Sequence, residues 1–309
     1  MIDRLSALFS SSDMTVGNPM TCLLRFSIPL LIGNLAQQLY STVDSIVVGQ
    51  YVGDKALSAI GTTLPIINLL LVLFIAISTG TSIMVAQYFG AREKRLLSHS
   101  VGNAITLILL SSVIIMVIGI PLSSPLLELT NTPVETFDMA HSYLVIILAG
   151  VFFSGLYNIL SGVLRGLGNS VYPLFVLLIA SVLNIFLDIW FVAGLEMGVG
   201  GAALATIISQ AVSAVLCLFK LVRMKDTLVI DKSTLTPNRD LISQLMRLGL
   251  PAGITQVIFS MSMVFVQALT NSMGYKVVTC TTAVMRIDGF AMMPNFTFGM
   301  AIATFVGQN

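Results

Sequence analysis

The chain has 309 residues, of which 56% are hydrophobic and only 9% charged, with a mean hydropathy of +0.96 and a net charge of +1. That balance lies far from a water-soluble surface, and it excludes the broad basic field of a nucleic-acid binder. Cys22, Cys217 and Cys280, like His99 and His141, fall at no metal or redox spacing, so the thiols read as small core residues.

At the start of the chain Asp3, Arg4 and Asp13 sit in polar surroundings unlike a signal peptide, which leaves membrane entry to the first span. A bilayer core of about 30 Å takes roughly 20 apolar residues of helix. Runs of that size lie near 26–49, 64–86, 101–121, 141–161, 173–193, 199–219, 247–270 and 282–306, predicting eight spans, several interrupted by Pro or Gly. Sorting the 15 Lys and Arg between alternate loops places 12 on one side, Lys94, Arg95 and Arg165 among them. Only Lys55 and Lys276 fall on the other, and Arg286 lies within the eighth span. Cytoplasmic loops retain positive residues, so the amino terminus is expected in the cytoplasm.

A polar stretch from Met224 to Asp240 follows the sixth span and reads as a boundary between two helix bundles. The expected division is 1–223 as a first lobe of six spans, 224–240 as a cytoplasmic linker, and 241–309 as the start of a second lobe with two spans. Across the linker the chain repeats. RFSIPL from Arg25 matches RLGLPA from Arg247 at an offset of 222, setting Pro29 against Pro251, and Gly53, Lys55 and Gln87 match Gly274, Lys276 and Gln308 at 221. Six spans return the chain to its starting side, so the repeat is parallel, an arrangement that places a path between two halves. The fold expected is all-α integral membrane, two six-helix lobes with the second truncated here; two full units would make roughly 440 to 460 residues and twelve spans.

Order and spacing of several words then resemble one family. They are Pro29 to Asp44, Gly49, Gly53, ALSAIG from Ala56, AQYFGAR from Ala86, GVLRGLGNS from Gly162, and Asn184 with Asp188. GVGGAALAT from Gly198, GLPAGITQ from Gly249, RIDGFAMMP from Arg286 and the terminal GQN complete the set. Together they are similar to the multidrug and toxic compound extrusion (MATE) transporters, in particular a DinF-like bacterial branch. The resemblance implies a multi-pass protein of a bacterial inner membrane that exports organic, often cationic compounds in antiport with Na+ or H+. Gly166 and Gly168 lack the third glycine and the preceding strand of a dinucleotide loop, so they read as a helix–helix turn.

A charge near a helix centre costs about 2.5 to 3.5 kcal/mol on insertion scales, so each intramembrane carboxylate needs a partner or a role. Asp44 precedes the Asp54 loop by ten residues, which sets it deep in its span. Asp188 lies six residues before Gly194, where an interfacial position is the competing reading, and Asn184 is one helical turn behind it. Thr206, eight residues after Gly198, enters from the same side. Two carboxylates, an amide oxygen and a hydroxyl suit a small hard cation, and the same carboxylates could share a proton. The resemblance implies a coupling-cation site at Asp44, Asp188, Asn184 and Thr206 and a helix bend at Pro29. Gln37, Tyr40, Arg286 and Asp288 are candidates to line a central cavity. The repeat partner of Asp44 is Val266, so coupling is expected in the first lobe.

No cofactor, ATP or nucleic acid is expected, and the protein reads as a monomer meeting membrane lipid and small organic substrates. A lipid-linked oligosaccharide flippase of the same superfamily is the alternative; it would want a strongly cationic cavity, against which Arg286 is a single intramembrane cation. An intramembrane hydrolase lacks paired His ligands or a Ser–His arrangement in the spans. A channel or scaffold would show no substrate counterflow.

Overall fold

The computed structural model describes Thr15 and residues 18–224, 227–229, 231 and 233–309, with every side chain among them except those of Tyr40 and Arg286. Asp3, Arg4, Asp13, Lys225, Asp226 and Lys232 lie outside the described residues.

The described residues form α-helices joined by short turns. In chain order they are α1 (Pro19–Tyr51), α2 (Asp54–Leu70), α3 (Val72–Gly90), α4 (Lys94–Leu129), α5 (Val134–Ala149), α6 (Val151–Gly166) and α7 (Val171–Asp188). A π-helical turn, Ile189–Gly194, continues α7, and α8 (Gly198–Arg223), α9 (Arg239–Ser272) and α10 (Tyr275–Gln308) follow. Among the described residues seven stretches are long and apolar enough to cross a bilayer, and α5 with α6, bent by 53°, makes an eighth. The eight predicted runs fall on these, the second bridging the break at Leu71 between α2 and α3.

The outer surface is apolar because its solvent is lipid. On α4, Leu110, Val113 and Val117 recur at helical spacing and are more than half exposed, while Val101, Ile108 and Ile115 of the same helix are buried. In water such a stripe would drive association; in hydrocarbon it is matched to its surroundings. Inside, the largest apolar cluster joins Met84 of α3, Ile108 of α4, Leu144 of α5, Leu160 of α6 and Cys217 of α8, and it reaches Leu245 of α9. Hydroxyls within the spans fold back on their own helices, as Thr81 does on the Ile77 carbonyl at 2.7 Å and Ser112 on the Ile108 carbonyl at 2.7 Å.

The two stretches matched by the sequence repeat have the same local construction. Asn18 begins α1 with its side chain accepting from the Met20 N–H at 3.0 Å, and Asn238 begins α9 by accepting from the Asp240 N–H at 2.9 Å. Gly53 and Gly274 then start the following helices at φ +104° and +91°, a region that side chains with a Cβ rarely enter. The helices of the two stretches meet closely. A Cβ on Gly80 would collide with the Leu245 carbonyl oxygen, and one on Gly249 with that of Ala76, so α3 and α9 cross backbone to backbone. Polar bonds tie α9 and α10 to the rest: Thr62 Oγ1 donates to Asn271 Oδ1 (3.2 Å), Tyr88 Oη to Gln244 Oε1 (2.7 Å), and Gln308 Nε2 to the Gly166 carbonyl (2.9 Å).

Two expectations need refinement. The stretch read as a linker is no free tether: α8 ends at Arg223, α9 begins at Arg239, and the segment between them hydrogen-bonds along α4. Arg165, sorted with the loop cations, lies in the last turn of α6, where one guanidinium nitrogen donates to Ser161 Oγ at 2.6 Å. Gly168, at φ +77°, does lie in a helix–helix turn.

Candidate cation site

Three helices bring the intramembrane acids together. Asp44 lies on α1 with 6% of its surface exposed, while Asn184 and the final residue of α7, Asp188, are wholly buried. Asp188 thus faces protein and not open solvent. Helical geometry sets Asn184 and Asp188 on one face, and the approach of α1 to α7 makes the two carboxyl groups hydrogen-bonding neighbours. The Asn184 amide nitrogen donates to Asp188 Oδ2 at 2.7 Å, and its oxygen accepts from the Thr206 backbone N–H of α8 at 3.2 Å. That orientation is assigned because the reverse would set amide oxygen against carboxylate oxygen.

Local backbone explains how Asp188 comes to lie there. The helix widens into a π turn immediately after it, with the Leu195 N–H bonding the Trp190 carbonyl at 2.9 Å, and such turns concentrate at functional positions. A sharp connection follows, in which Glu196 and Gly198 take φ of +52° and +58°, and it returns the chain into α8 and so to Thr206. Val47 and Val48 of α1, Ile60 of α2, Tyr143 of α5 and Val199 and Ala202 of α8 form an apolar cluster from the same stretches.

Such a setting dictates the chemistry. Two carboxylates in contact, away from water, cannot both stay ionised unless a proton or a cation lies between them. Asp188 Oδ1 is buried and has no hydrogen-bond partner among the described residues. The donor set of carboxylate and amide oxygens fits a hard monovalent cation or a proton. No group of three or more His, Cys, Asp or Glu converges among the described residues, so they assemble no thiolate or imidazole centre for a transition metal.

Pro29 sits inside α1, which is helical across it from Pro19 to Tyr51. Gln37 and Asp288 are exposed, and Tyr40 and Arg286 are outside the described side chains. A separate cavity of about 360 Å³ opens between α1, α2 and α10, lined by Thr42, Ser45, Ile46, Ile287 and Phe290, with Asp54 as its acid. Reading the sequence missed Tyr143, a phenol 6% exposed in the apolar cluster that Val47, Val48, Ile60 and Val199 share. Its only signal was a tyrosine within an otherwise apolar span, which also describes many lipid-facing rings.

A helical membrane domain with a buried acid pair is suited to ion-coupled transport, and comparison with known proteins sets the class. The MatE family model matches residues 29–190, just over half of the chain, and the chain belongs to that family, whose members are transporters. It is 31% identical over 297 residues to Probable multidrug resistance protein YpnP of Bacillus subtilis (strain 168), covering 96% of this chain and 66% of that one. Among solved structures, a MOP superfamily transporter from Pyrococcus furiosus superposes with a TM-score of 0.87 at 28% identity, over 97% of this chain and 67% of that one. The outward-facing conformation of a multidrug resistance MATE family transporter superposes at 0.84 and 29% identity, over 96% and 66%. The chain spans 62 to 66% of the length of the curated relatives it matches most strongly.

Proposed function

We propose that the protein is a secondary-active efflux transporter of organic, often cationic compounds, driven by antiport of Na+ or H+ through the Asp44–Asp188 site. The buried contact between those two carboxyl groups carries the reading, because it creates a demand for a positive charge that water does not meet. Turning the Asn184 amide over would give a cation an oxygen ligand in place of the N–H that now meets the carboxylate, so one side chain serves both occupancies. Thr206 holds that amide through its backbone. Substrate passes between two six-helix lobes, the second beginning with α9, and the amino terminus lies on the cytoplasmic side of a bacterial inner membrane.

Antiport requires cation and substrate to favour opposite access states, which needs no ATP. The cavity between α1, α2 and α10 supports the substrate class: apolar walls, the hydroxyls of Thr42, Ser45 and Thr282 and the Asp54 carboxylate suit an organic cation. Among the described side chains no Lys or Arg lines it, whereas the alternative, a lipid-linked oligosaccharide flippase holding pyrophosphate, would want such cations there. The Pyrococcus furiosus relative, for which reverse polarity of the binding pocket suggests a different function, shows why that sign matters.

The test is substrate efflux from proteoliposomes under separately imposed sodium and proton gradients, with Asp44→Asn beside the wild type. Asn keeps the size and removes the charge, so efflux should fall to background at normal membrane insertion. Gradient-driven efflux at the wild-type rate with unchanged ion dependence would sink the proposed site.

A further inference from the structure

The segment between α8 and α9 builds a second polar site at the opposite end of α4 from the turn into α5. Its Val229 N–H donates to Ser98 Oγ at 3.0 Å, and its Leu235 carbonyl accepts from Thr106 Oγ1 at 2.8 Å. Its Asn238 N–H donates to Asn103 Oδ1 at 2.7 Å. The Thr234 carbonyl lies so close to Gly102 that a Cβ there would overlap it. Strapped down in this way, the segment walls a cavity of about 230 Å³ against the first two turns of α4, lined by Lys94, Arg95, His99, Thr227, Val229 and Thr234.

Charge is concentrated there without being consumed. Nearby cations of the same protein end are engaged: Lys220 lies over the Tyr172 ring at 5.3 Å, Arg223 over the Phe219 ring at 4.0 Å, and Arg165 bonds Ser161. Among the described residues Lys94 and Arg95 have no ion-pair or aromatic partner. The acid that faces His99 is Asp231, and its Oδ1 is occupied by Ser233 Oγ at 2.7 Å and the Thr234 N–H at 2.9 Å. Those two bonds hold the Asp231 carboxyl below its ordinary range and use it to shape the strap. Two cations without an ion-pair partner among the described residues, an imidazole, a threonine hydroxyl and the N-terminal turn of a long helix thus face one space.

From this geometry we infer that the strap cavity binds a phosphate group, delivered as the headgroup of an anionic phospholipid. Lysine and arginine beside one another match phosphate oxygens, and the helix start adds donors of the same sign. The source is lipid because Lys94 and Arg95 open a helix long and apolar enough to cross the bilayer, which sets the cavity at the membrane-surface end of that helix, where headgroup phosphates lie, with the exposed Leu96 in the same turn. A bound headgroup bridges α4 and the strap, so it fastens the connection from α8 into α9.

Native mass spectrometry of the purified protein tests this, titrating phosphatidylglycerol, phosphatidylcholine and inorganic phosphate in turn. Phosphatidylglycerol should be retained over phosphatidylcholine, and Lys94→Gln with Arg95→Gln should weaken it about fivefold for each charge removed, about 25-fold together. Lys55→Gln with Lys276→Gln, an equal charge change at the other helix ends, should leave it unchanged. Thr227→Glu brings a carboxylate into the cavity without touching α4 and should weaken binding as well, which covers the case of a misfolded double variant. Inorganic phosphate that binds the wild type as tightly, and is lost in the same variants, would overturn the lipid source while keeping the phosphate site. Equal retention of both lipids, or undiminished phosphatidylglycerol binding in the α4 variants and Thr227→Glu, would overturn the site.

Discussion

Asn184→Asp offers a direct measure of what the acid pair requires. The substitution is nearly isosteric, and it keeps the acceptor that meets the Thr206 N–H. It replaces the N–H donated to Asp188 Oδ2 by an oxygen at the same 2.7 Å separation. Losing a hydrogen bond to a charged group costs about 1.5 to 3 kcal/mol, and a unit like-charge pair at 4 Å adds up to about 4 kcal/mol at an effective dielectric of 20. Most of the second term disappears if the site takes up a cation or a proton, so the net loss should be about 1.5 to 3 kcal/mol with either present and as much as about 7 kcal/mol where both are scarce. Thermal unfolding in detergent, at neutral pH without sodium, should show the larger loss, and adding Na+ or acidifying should reduce it to the smaller. Restoration by sodium alone would identify the coupling ion as Na+; restoration by acid alone would identify it as H+. A variant as stable as the wild type in sodium-free neutral buffer would refute the Asn184–Asp188 contact and the reasoning built on it.

Further substitutions probe the scaffold. Gly249→Ala drives a Cβ into the Ala76 carbonyl and should cost about 1 to 3 kcal/mol in thermal unfolding, whereas Gly299→Ala, with open space around its Cβ, should be close to neutral. Gly53→Ala and Gly274→Ala each impose a strained φ with no new contact, so each should cost about 1 to 2 kcal/mol, and similar losses would support equivalent turns in the two repeats. Asn271→Leu strips partners from Thr62 Oγ1, Gln267 Nε2 and the Thr130 carbonyl, and should destabilise by about 1 to 3 kcal/mol per group left buried and unbonded.

Spans and their order were legible because bilayer thickness imposes a length, and apolar runs of that length stand out whatever the packing. The acids were legible for the complementary reason: Asp44 and Asp188 interrupt such runs at a cost that demands an explanation. What sequence spacing could not supply was contact between helices. That Asp44 and Asp188 touch depends on how α1 crosses α7, and that Tyr143 joins the apolar cluster of Val47 and Val48 depends on the approach of α5. Polarity did not reveal two contacts. Arg165 counts as a loop cation by position, yet its long stem lets it turn back onto Ser161, and the hydrophilic segment after α8 spends its polar groups on α4 instead of on water.

Helix α1 belongs both to the cation site and to the contact with α10, and this double role gives the proposed mechanism a physical route. One face carries Asp44 to the carboxyl of α7. Other turns meet α10, where Asn34 Nδ2 donates to Thr297 Oγ1 at 2.7 Å and the Gln38 amide fills the space a side chain on Gly289 would need. A buried polar bond and a close packed contact each tolerate only small displacement, so α1 cannot respond to a change of charge at Asp44 without changing its fit to α10. The acids need lie nowhere near the substrate for this to matter. In the proposed mechanism cation occupancy would alter the balance between α1 and α7, substrate that between the two bundles, and both would be settled on the same helix.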